Sequence, residues 1–219
     1  MEELTRHIDS YCERTDPSYW SEPINAVTNL AFIIAALVMW RRTARLPLAR
    51  SLCAILFAIG IGSYLFHTHG QVWAAIADTT PILLFILVYI FAINLHVWMM
   101  RPWPALALTA AFIPYAALTI PLWSYVPVFG VSAGYMPVPT LILIYAALLW
   151  SSAAQTARGL ATGAGILLVS QLARSVDETF CAAVPIGTHF LWHCLNGLML
   201  GWMIEVYRRH HVQSRPDLP

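Results

Sequence analysis

Seven stretches of the chain are dominated by apolar residues, and short polar or proline-bearing segments separate them. They run from Pro23 to Trp40, Ser51 to Phe66, Asp78 to Met100, Trp103 to Trp123, Val138 to Trp150, Leu160 to Val176 and Gly187 to Tyr207. Their lengths run from 13 to 23 residues, around the roughly 20 apolar residues that a helix needs to cross a bilayer, with the fifth the shortest. Pro114 interrupts the fourth stretch, since proline lacks the N–H a helix requires. Gly163 and Gly165 suit the sixth to close helix packing. Repeats, linkers and low-complexity segments are absent from the sequence. The pattern predicts an all-α membrane protein, a seven-transmembrane helix bundle forming one domain over residues 1–219. Residues 1–22 precede the first span and 208–219 follow the last.

Composition supports the same class. Hydrophobic residues make up 59% of the chain and charged residues only 11%, against about 25% charged in a soluble domain. The net charge of +1 gives no basic surface for nucleic acid, and nothing in the sequence implies a protein partner. Met1-Glu2-Glu3-Leu4 lacks the basic region and apolar core of a signal peptide.

The arginines orient the bundle, because cytoplasmic loops carry an excess of basic residues. The twelve basic residues are all arginine. Arg41, Arg42, Arg45, Arg50, Arg101, Arg158, Arg208, Arg209 and Arg215 fall on one side of a seven-span topology, and Arg6, Arg14 and Arg174 on the other. This predicts an N-terminus outside and a cytoplasmic C-terminus. Six spans would scatter the arginines over both faces.

That topology brings four polar residues to one depth. His67 ends span two, Asp78 opens span three, and His189 and His193 begin span seven, all in the outer half of the membrane. His189 and His193 are four apart and share a helix face. Ionisable groups there are costly unless they are paired or do chemistry. Three imidazoles with an open fourth position fit a catalytic zinc site. Ser63, one turn before His67, could donate to a developing oxyanion. Asp78 could take a proton from an activated water and hand it to a leaving group. The last span lacks the glutamate of a His-Glu-x-x-His metalloprotease, so the base must come from another helix.

Blander readings exist for each residue. A histidine can pack alone, a serine can bond its own backbone, and Asp78 can cap a helix. A bis-histidine haem is the rival cofactor. His7, His69, His96, His210 and His211 read as structural or solvated. Before span one, Glu13, Asp16 and Glu22 supply oxygen ligands of the kind calcium takes, although not at EF-hand spacing. Cys12 and Cys181 both fall on the outer face, where an oxidising compartment permits a disulfide. A bridge between them is the working hypothesis. Cys53 and Cys194 lie within spans as packing residues.

Four stretches resemble the alkaline ceramidases, within a wider group of seven-span metal hydrolases that includes the adiponectin-type receptors. They are Cys12-Glu13 with Ala26-Val27-Thr28-Asn29 after Glu22, Gly62 through His67, Val176-Asp177 with Phe180-Cys181, and His189 through His193 with Asn196-Gly197. The resemblance implies zinc on His67, His189 and His193, an active-site Ser63, a water-activating Asp78 and a Cys12–Cys181 disulfide. It also implies a calcium site whose positions correspond to Ser10, Tyr11, Glu13, Thr15 and Glu22. Ser10 and Thr15 depart from the Asp and Asn of that pattern, with Asp9 and Asp16 beside them as substitutes. The expected function is an intramembrane, zinc-dependent amidohydrolase that cleaves ceramide or a related N-acyl lipid and releases a fatty acid. The alternative is a non-catalytic seven-span lipid receptor with structural zinc. The expected location is a bacterial inner membrane, with the site toward the periplasm.

Overall fold

A computed structural model describes residues 2–214, so Arg215 of the expected basic tail lies outside the described residues. Beyond the short α1 (Glu2–Thr5), the helices are α2 (Pro23–Thr28), α3 (Leu30–Arg42), α4 (Pro47–His69), α5 (Val72–His96), α6 (Pro102–Ala110), α7 (Phe112–Ser124), α8 (Pro137–Leu149), α9 (Ala154–Ser175) and α10 (His189–Ser214). Proline stands in the first turn of α2, α4, α6 and α8, where its missing N–H costs nothing. α6 and α7 meet at Ala111, three residues before the Pro114 that was expected to break span four.

The helices pack in chain order and close on themselves. α3 packs on α4, α4 on α5, α5 on α6, α7 on α8, α8 on α9, and α9 on α10, which returns to α3. Among the described residues, four segments are long and apolar enough to cross a membrane: Pro23–Arg42, Pro47–His69, Val72–His96 and Pro102–Ser124. Pro137–Leu149 is apolar but shorter. The outward surface is itself apolar, with Trp103, Leu118, Leu122, Ile34 and Leu106 largely exposed. An exposed apolar area of this extent fits lipid contact. The protein is therefore membrane-embedded and all-helical.

Several boundaries differ from the expected ones. α5 begins at Val72 with Gln71 in the capping position, so Asp78 lies in its second turn and is not a helix cap. The apolar run Val72–Ala77 belongs to the helix that Asp78 was expected to open. α10 runs past Tyr207 to Ser214, because Glu205 pairs with Arg208 at i+3 and Arg209 at i+4, the spacings that support a helix.

Polar groups segregate to the two ends of the bundle. At one end Arg42 pairs with Glu205, His96 with Tyr207 and His210 with Thr156. At the other, buried Ser63, His67, Asp78, Asp177, His189 and His193 gather beneath the N-terminal segment. That segment is laid across the bundle by Ile8 N–H to the Gly70 carbonyl, at 2.7 Å, and Val72 N–H to the Arg6 carbonyl, at 3.1 Å.

Candidate metal centre

Two close helix contacts bring the site residues together. Gly62 on α4 lies against the carbonyl of Ala77 and the Cα of Asp78 on α5, and a Cβ there would collide with both. Pro81 sits inside α5 and offers no N–H to the Ala77 carbonyl four residues earlier. The absent side chain of Gly62 and the missing helical bond at Ala77 thus meet at one point and set Ser63 beside Asp78. Gly197 on α10 makes a similar approach to Ala31 on α3. It brings the turn carrying His193 against the helix carrying Thr28.

The start of α10 is fixed by one carboxylate. Asp177 Oδ1 accepts from the backbone N–H groups of Thr188 and His189, and Oδ2 from that of Cys12 at 2.9 Å. An anion suits a helix N-terminus, where backbone N–H groups lack partners. Gly187, at φ +64°, leaves the room that Asp177 occupies. A disulfide joins Cys12 to Cys181 across a Cα separation of 5.1 Å. Next to it Tyr11 stacks on His189, with ring centroids 3.6 Å apart and planes 12° from parallel.

His67, His189 and His193 converge, and their candidate ligand atoms all lie within 4.8 Å of one another. Their partners fix which nitrogens carry protons. His67 Nδ1 lies 2.6 Å from Glu22 Oε2. Glu22 Oε1 also takes the Arg14 Nε–H, and a carboxylate only accepts, so His67 donates from Nδ1. His193 Nδ1 lies 2.9 Å from Thr28 Oγ1. The single proton of that hydroxyl points to the carbonyls of Ile24 and Asn25, so Thr28 accepts from His193 Nδ1. As neutral imidazoles, both histidines carry a lone pair on Nε2, and these two atoms face each other at 3.0 Å. His189 Nδ1 is buried without a hydrogen-bond partner.

Lone pairs at that distance repel unless they share a cation. Nδ1–H bonds to Glu22 and Thr28 are the outer-shell arrangement that orients metal-binding imidazoles. The residues present therefore fit a metal ion. Its identity as zinc is taken up below.

Ser63 and Asp78 stand at the edge of this group. The Ser63 hydroxyl and Asp78 Oδ1 are both buried; they interact with each other and have no further hydrogen-bond partner among the described residues. Asp78 lies beside Ser63 and within Coulombic reach of His67 and Arg174. The Arg174 guanidinium sits over the Tyr135 ring at 5.1 Å and donates to the Val131 carbonyl.

The carboxylates expected to take calcium, Glu13, Asp16 and Glu22, each have protein partners in this structure. Glu13 engages both oxygens with the N–H groups of Ile24 and Asn25, at 2.7 and 2.8 Å, and so caps α2. Glu22 engages Arg14, His67 and Asn25. Asp16 is exposed and accepts from Ser18 N–H. No acidic group of three converges among the described residues. Burial pushes the Glu13 carboxyl above its ordinary range. Burial acts the same way on Glu22, but the hydrogen bond and charge of His67, with the Arg14 guanidinium, hold it below that range. Glu22 thus joins Arg14 and Asn25 to the histidine centre.

Sequence reasoning missed Thr28 as the partner of His193, Arg14 as the partner of Glu22, and the stacking of Tyr11. Only the placement of Glu22 next to Pro23 at the mouth of a span hinted at its role. Comparison with known proteins bears on the identity of the whole. Among curated proteins, none matches the chain. The family model described as Ceramidase matches residues 5–216, so a membrane-embedded helical chain that gathers three buried histidines beside Ser63 and Asp78 belongs to the ceramidase family.

Proposed function

We propose that the protein is an intramembrane, zinc-dependent amidohydrolase that cleaves ceramide or a related N-acyl lipid into a fatty acid and an amine. Membership of the ceramidase family supports hydrolysis of a lipid amide. The observation that carries a catalytic reading is the buried pair of Ser63 and Asp78, which face each other beside the three histidines and engage no other side chain by hydrogen bond among the described residues. A purely structural metal site has no need of either.

His67, His189 and His193 would hold the ion, which when bound would supply Lewis acidity to a water and to the amide carbonyl. Asp78 receives the proton of the attacking water at its free oxygen. Ser63 donates to the oxygen of the tetrahedral intermediate, where charge builds. Asp78 then returns the proton to the departing nitrogen. The water oxygen ends in the carboxylate and the amine leaves protonated. Glu22 and Thr28 keep the imidazoles in the tautomer this chemistry needs.

In this reading α2 with α3, α4, α5, α6 with α7, α8, α9 and α10 form seven spans, with residues 1–22 outside, 208–219 cytoplasmic and the whole forming one domain. Arg42, Arg208 and Arg209 cluster at the end remote from the histidines, which accords with a cytoplasmic face there and a periplasmic face at the site. The disulfide accords with an oxidising compartment on the site's side. The deciding experiment combines metal analysis of the purified protein with mass-spectrometric detection of fatty acid released from ceramides and other N-acyl lipids. One zinc per chain and stoichiometric release of acid and amine are expected. Bound metal with no product from any lipid amide would reduce the protein to a binding module.

A further inference from the structure

Next to the metal centre, the apolar interior holds two polar atoms with no partner. Gln171 Oε1 on α9 and Trp192 Nε1 on α10 are buried and make no hydrogen bond among the described residues. The two residues are 1% and 4% exposed. Both line one cavity, whose other walls include Phe32, Ile59 and Ile82. The Trp192 ring fixes where that cavity begins, for it stacks on His189 with centroids 5.3 Å apart. Past Gln171 and Trp192 the cavity shares Phe85, Val138 and Leu200 with a second one that leads deeper between α5, α8 and α10. An alkyl chain that enters at His189 would meet Gln171 and Trp192 first and afterwards a mostly apolar wall of aliphatic and aromatic side chains, in which the Tyr89 hydroxyl also lacks a partner among the described residues.

An unpaired buried acceptor and an unpaired buried donor on the walls of one cavity are costly to maintain. A ligand hydroxyl carries the complement of each, a proton for Oε1 and an acceptor for the Nε1–H. The amine half of the substrate leaves as an ammonium ion and needs the polar mouth near Asp78. The cavity has no carboxylate for it, so the cavity suits the acyl half. Since Trp192 touches His189, the hydroxyl falls within a few carbons of the carbonyl under attack. Resting on the amidohydrolase reading above, we propose that the preferred substrates are lipid amides whose acyl chain bears a hydroxyl on its second or third carbon, read by Gln171 and Trp192.

The test uses the full-length protein in detergent and palmitoyl, 2-hydroxypalmitoyl and 3-hydroxypalmitoyl amides of one amine. One hydroxylated amide should show kcat/KM about tenfold or more above the plain one, the discrimination expected when a site's polar groups are left unpaired. Gln171→Met and Trp192→Phe should each bring that ratio close to one. The ratio is internal to each preparation, so partial misfolding cancels, and the two variants check each other. A second readout needs no turnover: free hydroxypalmitic acid should raise the thermal midpoint of the wild type more than palmitic acid does, and the difference should vanish in both variants. Cleavage without preference, or a preference that survives both variants, overturns the inference and leaves the hydrolase reading standing. Selective stabilisation without cleavage of any amide keeps the hydroxyl site and overturns the hydrolase reading. Neither cleavage nor selective stabilisation removes both.

Discussion

The Nε2 atoms of His67 and His193 face each other at 3.0 Å, while Glu22 and Thr28 hold the opposite nitrogens of the two rings. The outer partners point both lone pairs at one place, and His189 completes the triangle. Much of the experimental behaviour of this protein should follow from that arrangement.

Metal content is the first consequence. Purified protein should carry about one divalent ion per chain, and His67→Ala or His193→Ala should lose it. A chelator should lower the thermal midpoint, because an ion at 100 times its dissociation constant stabilises a fold by about 2.7 kcal/mol. Stability indifferent to chelation, with no metal found by elemental analysis, would remove the metal centre.

Glu22→Gln should weaken metal binding by about 10- to 100-fold, the usual effect of losing an outer-shell partner. It also leaves the Arg14 guanidinium, which lies on Gly70, without its carboxylate. Thr28→Val should weaken metal binding through His193 by a comparable factor without touching Arg14. Competition with a chromogenic chelator measures both, and unchanged affinity in the two variants would show that the outer bonds are idle.

Asp78→Asn should retain metal and fold while lowering kcat by about 10²–10⁴-fold, the range for a lost general base. Ser63→Ala should lower kcat by up to about 10²-fold, as for one oxyanion donor, with little change in KM. Full activity in Asp78→Asn would sink the mechanism.

How much of this was legible in the sequence depends on which residues are considered. His67, His189 and His193 could be brought to one depth from span order alone, because a helix that crosses a bilayer has fixed length and direction. The hydrophobic pattern also marked the break near Pro114. Asp78 was placed at a helix start because charge was taken as the boundary. The helix in fact begins at Val72, since a membrane helix accepts a carboxylate in its second turn when it faces the interior. The bonds from Glu22 to His67 and from Thr28 to His193 were hidden. Both join residues far apart in sequence, and a carboxylate before a span reads equally well as a solvated loop or a cation ligand.

Gly62→Ala tests the helix contact that sets Ser63 beside Asp78. The added methyl meets backbone at Ala77, which cannot swing aside as a side chain could. A loss of about 1–3 kcal/mol is expected from such overpacking, read as a lower thermal midpoint together with reduced activity. Wild-type stability and turnover in this variant would mean that α4 and α5 slide apart freely.

Reduction of the Cys12–Cys181 bond, or Cys12→Ser with Cys181→Ser, should destabilise the protein by about 2–5 kcal/mol, the usual cost of removing a native disulfide from a small secreted domain. Non-reducing mass spectrometry should find the bond intact in material from an oxidising compartment. Because Tyr11 stacks on His189, the variant should also bind metal less tightly, which a bond of purely structural value would not affect.

The Cys12–Cys181 bond also bears on biogenesis. Cys12 leaves the ribosome near the start of synthesis and must wait for Cys181, while His67 must wait for His189 and His193 on the last helix. A chain halted just before α10 already holds both cysteines but only one of the three histidines. In the hydrolase reading, catalytic competence is therefore a property of the finished insertion product, and a nascent or truncated chain should carry no partial activity against the lipids around it.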